Sequence, residues 1–274
     1  MYMMAFKIGF MAPQPESKPM KAAYTLPQET IIPRKSVVRI HFSGRNMTLA
    51  YYNDQFDLHV GDMVYVDGKL EGLLGRVMEV NYNFKIKLSD YKRVIAVVDT
   101  AVHGQFFFAG SHFITFDRDA LPVSKAISWF MAPAGEDEEF ASGSDDTYFP
   151  LDDLSEMNVS SAIAERGHNY YLGNRVRYLC LDNYRGYAIV EGGEAYEVEF
   201  EYRNGEISNL TCTCPCGYSC KHEFAAMLQL RETLALIEKN YASEYEHTGY
   251  FAAVSEGTLF SFAIDGRESG SFTL

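Results

Sequence analysis

Residues 195–222 read AYEVEFEYRNGEISNLTCTCPCGYSCKH, and the fold turns on how this stretch is read. In its first half Tyr196, Val198, Phe200 and Tyr202 alternate with Glu197, Glu199 and Glu201. That period of two buries one face of a strand and leaves the other in water. Asn204-Gly205 is the pair that a two-residue type I′ hairpin turn requires, because both central residues need positive φ. A returning strand is expected over 207–214. It runs straight into a cluster holding four of the chain's five cysteines and a histidine.

Zinc takes four donors in a tetrahedron, commonly thiolate sulfur and imidazole nitrogen. Residues two apart on a strand point to the same side, so Cys212 and Cys214 can reach one ion. Pro215 and Gly217 let the chain turn. Cys220 and His222 then arrive at a loop end and the first turn of a helix, HEFAAMLQLRETLALIEKN. Its Phe224, Met227, Leu230, Leu234 and Ile237 form one apolar stripe. The spacing selects Cys212, Cys214, Cys220 and His222 as ligands, in two C-x-C/C-x-H pairs, and leaves Cys216 as an alternate. Three thiolates and a neutral imidazole fill the coordination sphere, which makes the zinc structural rather than catalytic.

Other chemistries of Cys and His do not fit. A zinc deaminase needs H-x-E and P-C-x-x-C, a zincin H-E-x-x-H, and a redox pair C-x-x-C; none of these spacings occurs. Nor does a P-loop, a G-x-S-x-G elbow or a G-x-G-x-x-G turn, so no catalytic role is expected. Cys180, within YLCL, reads as a buried small apolar residue.

C-x-C-x(5)-C-x-H before an apolar helix resembles the SWIM zinc finger. The wording CTCPCGYSCKHEFAAML is similar to that family's C-S-C-P…C-K-H-x-x-A form. AERGHNYYLGNRV and IVEGGEAYEVEF resemble its upstream A-R-G-x-x-Y…G-x-V and V-x-G-S-x-x-Y-x-V segments, so the likeness covers residues 160–230. It implies the same four ligands. It also implies DNA binding or protein–protein interaction, and a place beside a motor: in bacterial chromatin-remodelling-type ATPases a SWIM-bearing region precedes a helicase-type ATPase. The chain would then be an accessory part of such a machine or a piece of a longer protein.

Upstream of the hairpin, strands are expected over 175–181 and 187–191, after a short helix that begins near Ser160 or Ser161 and ends near Gly167. The sequence after the long helix reads as a C-terminal hairpin. Residues 157–274 therefore form one zinc-binding domain with a ββα core. Residues 132–156 hold nine carboxylates between Glu136 and Glu156 and no Lys or Arg, and read as a solvated acidic linker.

Residues 34–131 read as a β-barrel-like domain. Val38, Ile40 and Phe42 alternate with polar residues, as do Tyr82, Phe84, Ile86 and Leu88 in a second expected strand over 81–88. Gly61, Gly68, Gly72 and Gly75 punctuate the strands between. GDMVYVDGKLEGLLGRVMEV resembles the KOW and related SH3-like barrels, which bind nucleic acid or protein. Residues 94–131 are expected to complete this unit, with His103 and His112 as ordinary polar residues on a sheet. Residues 1–33, rich in proline, form an irregular lead-in with a strand near 7–11. The fold class is thus mainly β (α+β).

The 274 residues carry a net charge of −13, which disfavours nucleic acid as a partner. The acidic stretch supplies most of it, and residues 34–94 carry ten Lys/Arg against seven Asp/Glu. Candidate phosphate contacts for DNA or RNA are Arg39, Arg45, Arg76, Lys85 and Lys87 on the barrel, with Arg175, Arg177, Lys221 and Arg231 on the finger. Ordinary solvated surface is the plainer role for most of them. A protein scaffold that docks a partner such as a helicase-type ATPase is the competing reading. No apolar run approaches the ~20 residues of a membrane span. The N-terminal residues lack a signal-peptide pattern. A reducing, cytoplasmic setting follows, where clustered cysteines bind metal rather than pair.

Overall fold

The computed structural model describes residues 7–10, 33–133, 143 and 148–264. The strands are β1 (Lys7–Phe10), β2 (Ser36–Phe42), β3 (Met47–Asn53), β4 (Met63–Val66), β5 (Gly75–Asn81), β6 (Val94–Val98), β7 (Gly104–Ala109), β8 (His112–Thr115), β9 (Tyr148–Pro150), β10 (Val176–Asp182), β11 (Arg185–Glu191), β12 (Ala195–Arg203), β13 (Glu206–Cys212) and β14 (Tyr250–Ser255). The helices are α1 (Val123–Phe130), α2 (Ser161–Leu172), α3 (Lys221–Asn240), α4 (Ala242–Thr248) and α5 (Glu256–Leu259). The fold is mainly β, in two antiparallel sheets. The chain divides into two compact units, residues 11–99 and residues 1–10 with 100–274.

The smaller unit is a five-stranded sheet in the order β3-β2-β5-β4-β6. Its ends approach each other: Tyr52 donates its backbone N–H to the Lys92 carbonyl at 2.8 Å and bridges to Arg93. Val38, Ile40 and Phe42 point inward with Tyr51, Leu58, Val64, Val66, Val77 and Val94 to form one core, as the alternation predicts. Turns at Gly68 (φ 88°) and Gly72 (φ 80°) use the left-handed region that glycine enters without strain. The expected strand over 81–88 does not form. The ladder between β2 and β5 ends at the Val37–Asn81 pair. There the Asn81 side chain accepts the Asn83 backbone N–H at 2.8 Å, a local bond that competes with sheet pairing.

The larger unit is built on a nine-stranded sheet, β1-β7-β8-β14-β10-β11-β12-β13-β9. One face carries Leu179, Leu181, Ala188, Val190, Val198 and Phe200, and α3 covers it with Ala225, Ala226, Met227, Leu230 and Ile237. On the other face Tyr178, Cys180, Ile189, Ala252 and Val254 are buried. Tyr178 donates its hydroxyl there to the Leu121 carbonyl at 3.0 Å. Trp129 of α1 stacks on Phe262 at 4.7 Å, 8° from parallel.

Several expectations are corrected here. Residues 104–115 do not complete the smaller unit; β7 and β8 lie in the larger sheet, where β8 pairs with β14 and β7 with β1. Residues 123–130, also expected within that unit, form α1. His112 does lie on a sheet strand, β8, as expected, and is fully buried there, bonded to the Val176 carbonyl at 2.8 Å and to Ser111 at 3.0 Å. The short helix expected to end near Gly167 continues to Leu172. Gly167 is kept for space: a Cβ there would lie 2.8 Å from Phe224 Cβ and 3.0 Å from the Lys221 carbonyl, where α2 crosses α3.

Most of the acidic run, residues 134–142 and 144–147, lies outside the described residues. Its C-terminal part is not a linker. β9 pairs with β13 at the sheet edge, and Phe149, Leu151, Leu154 and Met157 are buried in the main core, while Asp152, Asp153 and Glu156 stay outside. Only one strand of the expected C-terminal hairpin is described. β14 enters the sheet between β8 and β10 and is followed by α5 and a π-helical turn, Phe260–Ile264. Residues 265–274 lie outside the described residues.

Candidate metal centre

The site grows out of the β12–β13 hairpin. Asn204 (φ 52°) and Gly205 (φ 89°) make the predicted turn. A register shift between Glu199 and Glu201 sits opposite Asn209, itself left-handed at φ 52°. Beyond it Cys212 pairs with Val198. Thr213 then prolongs the ladder, exchanging bonds with Glu197 through its backbone N–H and its hydroxyl, both at 3.0 Å. Cys212 and Cys214 therefore leave one face of an extended chain.

The second pair is set by the start of α3. Cys220 is its N-cap: its Sγ accepts the Glu223 backbone N–H at 3.5 Å. The Glu223 carboxylate accepts the Cys220 backbone N–H at 2.7 Å, which completes a capping box. This fixes the sulfur over the helix end and turns His222 toward it. Cys220 Sγ lies 3.7 Å and Cys212 Sγ 3.8 Å from His222 Nδ1. Tyr196 stacks on the imidazole at 4.4 Å and Tyr170 meets it edge-on at 5.5 Å. Gly192 leaves room for the stack, since a Cβ there would lie 2.8 Å from the Tyr196 ring and 3.0 Å from His222 Nε2.

The donor atoms of Cys212, Cys214, Cys220 and His222 all lie within 4.8 Å of one another. Tetrahedral zinc with ~2.3 Å sulfur bonds holds its sulfurs ~3.8 Å apart, so the donors need move little to close on an ion. Cys214, Cys220 and His222 are buried at 7%, 3% and 4% exposure, and Cys212 is half-buried. No other group of three or more Cys, His, Asp or Glu donors converges among the described residues. The arrangement can hold a metal ion through three sulfurs and one imidazole nitrogen.

The electrostatics of the four donors point the same way. Without an ion, donation from the Cys212 thiol holds Cys220 down to about 4, and His222 helps. That donation and burial push Cys212 up. Burial pushes Cys214 up to about 11, against a bond from the Cys216 backbone N–H. Burial, with the Cys220 sulfur beside it, pushes Glu223 up to about 8. Protonated thiols are thus favoured at Cys212 and Cys214, whose protons a bound cation would displace.

This chain has a distant relative. An uncharacterized protein of Methanocaldococcus jannaschii is 37% identical to it over 71 residues, which make up 25% of this chain and 29% of that protein. The chain therefore covers less than a third of the relative's length. No family model matches the chain, and no solved structure matches it.

The remaining candidates do not gather into one site. Cys216 is exposed, on the rim of the cluster. Arg39 pairs with Glu79 at 3.6 Å and Lys87 with Asp90 at 4.0 Å. Arg45 and Lys85 are exposed, and Arg76 is half-buried on β5. Arg175 and Arg177 converge on Glu191, at 3.6 and 2.6 Å. Lys221 lies 4.8 Å from the centre of the Tyr170 ring, and Arg231 donates to the Asp152 carbonyl at 3.3 Å. Sequence reasoning missed Glu223, Tyr196 and Tyr170. The spacing of Cys220 and Glu223, a capping box with cysteine in place of serine, was the available signal.

No described helix is long and apolar enough to cross a membrane.

Proposed function

We propose that this chain is a SWIM-type zinc module, and that its ion is structural. Cys212, Cys214, Cys220 and His222 would hold the zinc, which supplies a cross-link between the exit of β13 and the first turn of α3. Four protein donors leave no position for water or substrate, so the centre organises a surface rather than a reaction. The soft, sulfur-rich donor set favours zinc over hard cations. The observation that carries the reading is the convergence of the four donors at C-x-C and C-x-H spacing, across a hairpin–helix junction.

The module serves nucleic-acid-associated or protein–protein interaction, as an accessory to a helicase-type ATPase. The five-stranded unit, read as an SH3-like barrel, would offer a second docking surface. Between the two kinds of partner, the structure favours protein. Arg39, Lys87, Arg175 and Arg177 already face carboxylates, and a net charge of −13 repels a polyanion.

Elemental analysis of the purified protein tests the zinc reading: one zinc per chain is expected, and a folded, metal-free protein overturns it. Gel shifts at low salt with duplex and single strands, beside a pull-down from cell extract, separate the partners. An ATPase recovered without any gel shift supports the protein scaffold. Retardation that weakens steeply with salt supports nucleic acid.

A further inference from the structure

Of the four cysteines in the cluster, the ligand set leaves one over. Cys216 lies in the loop between the two ligand pairs and is exposed, whereas Cys214 and Cys220 are buried. A cleft of about 210 Å3 opens onto this loop, and Cys214, Cys216, Cys220 and His222 all line it, with Arg166 and Lys221 beside them. The Cys216 backbone N–H bonds to the Cys214 sulfur, which holds the exposed residue against a buried ligand.

We propose that Cys216 is an oxidation site that opens the metal centre in response to hydroperoxide. This rests on the zinc reading above and adds a regulation to it. Exposure sets the order of events, because a small oxidant entering the cleft meets the Cys216 thiol before the buried ligands. The sulfur attacks the peroxide: an S–O bond forms, the O–O bond breaks, and the alcohol or water leaves with the thiol proton, giving a sulfenic acid. The Cys214 thiolate then attacks that sulfur. An S–S bond forms, the S–O bond breaks, and the departing hydroxide takes up a proton to become water. Two sulfurs have lost two electrons and the peroxide has gained them. The centre is left with three donors, and the tie between β13 and α3 loosens. A dithiol reductant reverses the change.

The test uses the full, zinc-loaded chain treated with hydrogen peroxide. Zinc release is followed with a chromophoric chelator, and disulfides are mapped after blocking free thiols. The wild type is expected to release zinc as a Cys214–Cys216 disulfide forms, and to rebind it after reduction. Cys216→Ser and Cys216→Ala should start with full zinc and release it at least about tenfold more slowly. Equal release from wild type and variants overturns the proposal, as does Cys216 remaining a free thiol while zinc leaves. Variants already short of zinc before peroxide also overturn it, because Cys216 would then be a ligand. A wild type without zinc before peroxide removes the zinc reading itself, and this proposal with it.

Discussion

Cys212 and His222 are ten residues apart, at the end of β13 and in the first turn of α3, yet Sγ and Nδ1 lie 3.8 Å apart. Neither the hairpin nor the helix alone brings them together. The ion they would share therefore stabilises a junction, and its removal should act on folding rather than on local detail. Chelation of zinc is expected to cost several kcal/mol, read as a lower midpoint of thermal unfolding. His222→Ala should reproduce the loss and abolish the effect of added zinc. An unchanged midpoint would show that the junction needs no ion.

Glu223 lies beside the Cys220 sulfur, accepts the Cys220 backbone N–H at 2.7 Å and so orients that sulfur. Outer-shell partners of this kind are worth about 10–100-fold in metal affinity. Glu223→Ala should weaken zinc binding by that order in competition with a chelator, while Glu223→Gln, which can still accept the bond, should lose less.

Gly167→Ala reverses the usual rule. In an exposed helix the change stabilises. Here the new Cβ would press on Phe224 and the Lys221 carbonyl and prise α2 from α3. A loss of about 1–3 kcal/mol is expected, as for overpacked cores. Denaturant unfolding of the zinc-loaded variant checks it, and a gain in stability would contradict the close crossing.

His112 predicts a pH dependence away from the metal centre. Burial pushes it from 6.5 down to about 4, with Arg177 adding to the shift and the Val176 carbonyl opposing it. The folded value lies below the unfolded one, so the unfolded chain takes up the proton first. The stabilisation is present above about pH 6.5 and is lost as pH falls toward 4. The full span is worth about 3 kcal/mol. His112→Gln should flatten the difference in unfolding free energy between pH 7 and pH 4.5. Equal slopes in wild type and variant would place His112 outside the titration.

The sequence by itself determined the pieces whose partners are close along the chain. The alternation of Val198 and Phe200 with glutamates, the Asn204-Gly205 turn and the spacing of Cys212, Cys214, Cys220 and His222 all concern neighbours within some thirty residues, so local geometry was enough to bring the four donors into one cluster. Periodicity also marked which side of β2 faces a core. It cannot name a partner strand, and that is where tertiary structure decided. Residues 104–115 are expected with the nearer N-terminal unit, but β8 pairs with β14, far along the chain, and Phe107 of β7 packs against Tyr241. The acidic stretch masks Phe149, Leu151, Leu154 and Met157, because local charge carries no information about the burial that only the assembled sheet provides. Gly167 read as a helix end, and only the crossing of a second helix shows it to be a point of contact. Hydrogen bonds and turns are decided by the residues that form them, whereas burial depends on what the rest of the chain brings to the other side.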